Sequence, residues 1–194
     1  MRRTKSNYPI QFTVDYPKKL SRLSTFFRII LTIPIFILYY LLIYVNSLVL
    51  LPTLLMILFK RKYPKWWFDW NVALLKFANR ICVYFSLLRD EYPSTDEDQT
   101  IHLKIPYPNV KKDLNRWLPL VKWILVIPHY IILTILSIVS LFVIIIAFFS
   151  ILITGTYPRS LFNFVVGVMR WSNRVMGYAC LLVTDRYPPF GLSE

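Results

Sequence analysis

The chain offers few residues with which to do chemistry. Its only histidines are His102 and His129, and its only cysteines are Cys82 and Cys180. No His-x-x-x-His, Cys-x-x-Cys or Glu-x-x-His spacing occurs, so the ligand sets of zinc and di-iron centres are missing. A single His129 at the edge of an apolar run is a thin basis for haem ligation. We expect no metal and no cofactor. No Gly-x-Ser-x-Gly elbow, P-loop or nucleophile–base pair is visible, and the expectation is a non-enzymatic protein. The remaining chemistry is cationic. Lys76, Arg80, Arg170 and Arg174 fall on helical stripes, and a guanidinium fork matches the oxygens of a phosphate. These four are the candidate lipid-binding residues. His129 is read as a hydrogen-bonding group at the edge of a membrane and the two cysteines as buried, inert thiols.

The composition says where such cations belong. Among 194 residues, 56% are hydrophobic, only 17% are charged, and 23 Lys and Arg stand against 10 Asp and Glu. Soluble domains carry about a quarter charged residues. Apolar and basic excess together indicate a membrane protein with cationic flanks. Nucleic acid is not an expected partner, because the cations bracket apolar segments and form no basic domain. Attraction to anionic lipid accounts for them more simply.

Residues 29–59 and 124–157 carry no charge apart from the titratable His129. Either run exceeds the roughly 20 residues that cross a bilayer as a helix. Basic residues precede the first (Arg2, Arg3, Lys5, Lys18, Lys19, Arg22, Arg28) and follow it (Lys60, Arg61, Lys62, Lys65). The second lies between Lys111, Lys112, Arg116 and Lys122 on one side and Arg159 on the other. Positive flanks mark the cytoplasmic side. The rule therefore favours a helical hairpin in each run, with apices at Asn46-Ser47 and Ser137 to Ser140, over one long helix. The polar, proline-interrupted first 25 residues argue against a signal peptide.

Self-comparison reveals two copies of one unit. At a spacing of 94 residues, Ile33-Pro34 matches Ile127-Pro128, Tyr63-Pro64 matches Tyr157-Pro158, Asn79-Arg80 matches Asn173-Arg174 and Tyr84 matches Tyr178. One further residue of shift aligns Asp90, Tyr92 and Pro93 with Asp185, Tyr187 and Pro188. This is a tandem duplication, divided into unit 1 at 1–93, an acidic linker at 94–100 and unit 2 at 101–194. The fold class is a mainly α integral membrane protein. Each unit has a short strand, a long membrane helix or helical hairpin, and an amphipathic helix.

Alternation at Ile10, Phe12 and Val14, and at Ile101, Leu103 and Ile105, predicts the strands. The amphipathic helices are expected at 66–88 and 160–183, lying in the headgroup layer with their basic stripes toward lipid. Trp66, Trp67, Trp70, Trp117, Trp123 and Trp171 are the expected membrane-interface residues. Five of the ten acidic residues, Asp90, Glu91, Asp96, Glu97 and Asp98, gather at the junction, which past Tyr92-Pro93 reads as a solvated linker.

The run from Leu161-Phe162-Asn163-Phe164 to Arg170-Trp171, the closing Thr184-Asp185-Arg186-Tyr187-Pro188-Pro189-Phe190, and Ile127-Pro128-His129-Tyr130 carry a resemblance. They resemble a bacterial family of integral membrane proteins named only as a domain of unknown function. The resemblance implies a membrane location and repeated units, and brings no catalytic residues. The resulting expectation is an accessory or scaffold subunit of a larger complex in the bacterial inner membrane, basic flanks cytoplasmic. Its partners would be anionic lipids and other membrane subunits. A small transporter or channel lined by Asn79, Arg80, Asn173 and Arg174, and a membrane-shaping wedge, are the alternatives.

Overall fold

The computed structural model describes residues 8–95 and 99–193. In chain order it contains β1 (Gln11–Val14), α1 (Arg22–Leu55), α2 (Lys65–Phe85), β2 (Ile101–Lys104), α3 (Val110–Asp113), α4 (Pro119–Leu125), α5 (Ile127–Thr154) and α6 (Arg159–Ala179). Arg2, Arg3 and Lys5, and the junction acids Asp96, Glu97 and Asp98, lie outside the described residues.

The two strands come from different units and pair with each other. β1 and β2 run antiparallel, with Phe12 opposite Leu103 and Val14 opposite Ile101. The same alternation that predicts them buries Phe12, Val14 and Leu103 in the main core. Each unit thus closes its sheet only by borrowing a strand from the other.

Ser21 starts α1 as its N-cap, its side chain accepting from the Ser24 N–H at 3.2 Å. The helix then runs without interruption to Leu55, with Pro34 and Pro52 inside it, and passes into a π-helical turn at Met56–Lys60. α5 is likewise unbroken from Ile127 to Thr154. The preferred hairpins are therefore corrected to one long helix per unit. A hairpin needs residues that tolerate a tight turn, and all four glycines fall outside both proposed apices, at 155, 167, 177 and 191. Aliphatic residues keep their backbone hydrogen bonds by remaining helical, which a turn inside hydrocarbon would forfeit.

Both long helices stop at a left-handed residue, Arg61 (φ 48°) and Gly155 (φ 73°). Pro64 and Pro158 then occupy the N-caps of α2 and α6, so each Tyr-Pro pair ends one helix and launches the next. α2 and α6 end earlier than the apolar stripes suggest. Leu87 (φ 62°) and Leu182 (φ 55°) turn the chain out of the helix at matching places.

Among the described residues, two helices are long and apolar enough to cross a membrane: the Arg22–Leu42 part of α1 and the whole of α5. α6 is different in kind. Phe162, Val165, Val166, Val168, Trp171, Val175 and Tyr178 are all buried, so it packs inside the protein, against α5 and β1.

Candidate functional site

The most organised polar chemistry is a pair of buried cation clasps, one per unit. In unit 1, Arg28 on α1 is only 2% exposed. Its Nη1 donates to the carbonyls of Tyr84 (3.0 Å) and Arg89 (2.6 Å), and its Nη2 pairs with the Asp90 carboxylate. The guanidinium also lies 4.1 Å from the centre of the Tyr84 ring. In unit 2, Lys122 on α4 is fully buried. Its Nζ donates to the Thr184 carbonyl at 2.7 Å, pairs with Asp185 Oδ1 at 2.7 Å, and stands 4.9 Å from the Tyr178 ring. Burial pushes the Lys122 ammonium below the ordinary lysine range, a shift that Asp185 opposes.

Each carboxylate does a second job. Asp90 Oδ2 accepts the backbone N–H of Ser21 at 2.7 Å, and Asp185 accepts that of Asn115. The clasp thus ties the residues after α2 or α6 to the entrance of the long helix of the same unit. The turns at Leu87 and Leu182 deliver the aspartates there. Next to Asp90, burial alone would raise Glu91. Hydrogen bonds from Arg89 and Thr100 outweigh it and hold the carboxyl below its usual range.

A second set of bonds joins the units reciprocally. Tyr16 donates to the Tyr157 carbonyl and Tyr107 to that of Tyr63. Arg22 reaches the Ile153 carbonyl and Arg116 that of Leu58. At the centre, Asn79 and Asn173 exchange two hydrogen bonds of 2.7 Å, each Nδ2 donating to the other's Oδ1. Equivalent residues that contact each other lie on a pseudo-two-fold axis.

The expected site residues divide. Lys76 is exposed and Arg80 half-buried, its Nη1 donating to the Ser94 carbonyl. Arg170 and Arg174 are turned inward: Arg170 binds the carbonyls of Phe12 (3.0 Å) and Leu192 (2.9 Å), and Arg174 that of Ser193 (2.7 Å). The stripe of α6 faces β1 and the C-terminal segment, which supply acceptors that lipid would otherwise supply. Trp66, Trp70, Trp117 and Trp123 stand at the surface, whereas Trp67 and Trp171 are in the core. Trp171 Nε1 donates to His129 Nδ1 at 2.9 Å, and Phe190 stacks on the imidazole at 4.0 Å. His102 is exposed, 3.4 Å from the Asp15 carboxylate. Cys82 is corrected from buried to exposed, since α2 turns that position outward. Cys180 is half-buried.

These features define a class: a mainly helical protein of two interlocked repeat units, carrying two helices of membrane-spanning length. The chain belongs to the family described as "Domain of unknown function (DUF4389)", whose model matches residues 22–95 and again 117–191. Both matched segments contain a complete clasp. No curated protein and no solved structure shows significant similarity to the chain.

Proposed function

We propose that this chain is a non-enzymatic accessory or scaffold subunit of a larger assembly in the bacterial inner membrane. It is embedded through α1 and α5 and meets anionic lipid at its basic ends. One observation carries the reading. Only 22% of the most apolar stretch of α1, and 17% of that of α5, is covered by the rest of the protein. Phe26, Ile30, Ile33, Ile37 and Leu41 face outward on α1, as do Ile131, Ile135, Phe142, Ile146 and Phe149 on α5.

Water-soluble monomers rarely expose more than a few hundred Å² of contiguous apolar surface. A bilayer or an apolar partner subunit removes that cost. The cations brought together inside the protein are meanwhile spent on carbonyls and carboxylates, a use that fixes shape. Outward apolar faces on a shape held this way suit a subunit that binds laterally within the membrane.

Affinity purification of the full chain from its native membrane in mild detergent tests the proposal. The expected result is a stoichiometric membrane-protein partner that comigrates on gel filtration. A monomer with no partner overturns the scaffold role. Release of the chain from membranes by alkaline carbonate overturns the embedding.

A further inference from the structure

The two long helices run in opposite directions and finish at shared ends. The Leu20 N–H donates to the Gly155 carbonyl and Arg22 Nη2 to that of Ile153, both at 2.9 Å, which joins the start of α1 to the end of α5. Arg116 Nε donates to the Leu58 carbonyl at 2.5 Å, which joins the approach to α4 and α5 to the far end of α1. Both units furnish each end, and each end is basic. Lys18, Lys19 and Arg159 stand exposed at one, and Lys60, Arg61 and Lys62 at the other. Upright helices would put one of these ends on each side of the bilayer, although positive residues mark the cytoplasmic side.

The elements packed against the long helices raise the same conflict. α2 follows α1 along its length: the Tyr84 carbonyl meets Arg28, Phe77 and Ile81 cluster with Ile35, and Trp67 Nε1 donates to Thr53 Oγ1. The exposed Lys76 lies near the middle of α2. α6 runs beside α5, and Arg170, near the middle of α6, binds the Phe12 carbonyl of β1 at 3.0 Å. The sheet is thereby held level with the middle of α6, and His102 and Lys104 are exposed on it. Were α1 and α5 upright, Lys76, His102 and Lys104 would sit near the depth of the bilayer centre, where ionisable side chains are costly.

We propose that α1 and α5 lie flat in the cytoplasmic leaflet without crossing the bilayer, forming an interface for one lipid monolayer. The inference rests on the membrane reading above and specifies how the chain is embedded. Laid flat, both basic ends meet anionic headgroups of the same leaflet, whose negative surface potential attracts them. The sheet and Lys76 then stay on the aqueous side. The inward stripes fit this placement. α1 turns Thr25, Arg28 and Thr32 into the protein, and α4 with α5 turns Lys122, His129 and Ser140 inward, so the outward faces are left apolar. A helix in the interface buries such a face about 5–10 Å deep. Length agrees as well. At 34 and 28 residues, α1 and α5 measure about 51 and 42 Å against a hydrocarbon core of about 30 Å. Fitting either within that core needs a tilt beyond about 40°, the upper end for crossing helices.

The test labels the unmutated full chain in bacterial inner membranes with a membrane-impermeant, amine-reactive ester, and mass spectrometry reads each lysine. Intact spheroplasts expose the outer face and inside-out vesicles the cytoplasmic face. Lys18, Lys19, Lys60 and Lys62 should all label in inside-out vesicles, together with Lys76 and Lys104, and labelling should be lost in spheroplasts. Labelling of one end from each side overturns the flat placement, as does protection of Lys76 and Lys104 from both sides. Labelling of both ends in spheroplasts alone overturns the choice of leaflet.

Depth gives an independent reading. Ile30→Cys and Leu41→Cys, each spin-labelled in a Cys82→Ser/Cys180→Ser background, should report the same depth. A crossing α1 would separate the two labels by about 12 Å even at a tilt of about 40°, and that result also overturns the placement. Alkaline carbonate extraction separates the two proposals. Release of the unmutated chain defeats the membrane reading, whereas firm embedding with the two ends on opposite sides defeats only the flat placement.

Discussion

Arg28 and Lys122 occupy the same place in the two units and close the same loop with different chemistry. The guanidinium spreads its donors over two carbonyls, the Ser24 hydroxyl and the Asp90 carboxylate, while lying against Tyr84. The ammonium meets one carbonyl, one carboxylate and a more distant ring. An arginine keeps its charge when desolvated, whereas a lysine loses part of its preference for the charged form. The unit 1 clasp therefore has redundancy. The unit 2 clasp leans on Asp185.

That difference sets the largest expected effect. Asp185→Ala leaves the fully buried Lys122 without a carboxylate, and removal of one partner of a buried pair costs about 3–5 kcal/mol. Asp90→Ala should cost about 1–3 kcal/mol, the range for one lost bond to a charged group whose other partners remain. Thermal unfolding in detergent reads both, and equal losses would break the comparison. Adding Lys122→Met to Asp185→Ala should recover most of the loss, because it removes the uncompensated charge. The sign with pH follows from the lowered pKa of Lys122. Between that value and the ordinary 10.5, the unfolded chain binds more protons than the folded one, so the Lys122 contribution to stability rises with pH. The unmutated chain should gain on a Lys122→Arg variant as pH climbs toward 10.5. A flat difference would mean that Lys122 is hydrated.

Where the clasps differ, the Asn79–Asn173 pair is symmetric, and it sharpens the comparison by removing the asymmetry. Each amide has the same two acceptors: its partner's oxygen and a carbonyl of its own helix, Leu75 or Met169. Asn79→Ala and Asn173→Ala should each cost about 1–3 kcal/mol by leaving the other buried amide short of a partner. In a double-mutant cycle the combined variant should cost clearly less than the sum. Unequal single losses would show that the two units do not meet at a true pseudo-axis here.

The duplication, both strands and the Tyr-Pro breaks were legible because each is written in local spacing. So was the correspondence of Asn79 with Asn173, although not their contact, since periodicity says nothing about which copies of a repeat face each other. The clasps were half-visible. The register that aligns Tyr84 with Tyr178 also aligns Arg28 with Lys122, and the shifted register aligns Asp90 with Asp185. Read singly, however, Arg28 and Lys122 look like two more flanking charges. The inward turn of Arg170 and Arg174 was hidden, because their acceptors are carbonyls of β1 and of the C-terminal segment, far away in sequence. The hairpin expectation erred for a related reason. Flanking charge reports which side of a membrane a segment end prefers, and carries no information about whether the helix between those ends bends.

The smallest effect tests whether the long helices end by the same rule. Arg61 and Gly155 take the same left-handed place, but only glycine adopts it without a Cβ penalty. A left-handed L-residue costs about 1–2 kcal/mol. Arg61→Gly should therefore raise stability by up to about 1 kcal/mol, the gain reduced by the greater freedom of an unfolded glycine. Gly155→Ala should lower stability by about 1 kcal/mol, although space is available: an added Cβ would stand 3.9 Å from Arg22 Nε and 4.0 Å from the Leu20 oxygen. The opposite signs are the expectation, read as shifts in the unfolding midpoint. If Arg61→Gly instead destabilises, the Arg61 side chain contributes an interaction that outweighs its backbone strain. The end of the first long helix would then be held by chemistry that the second does without.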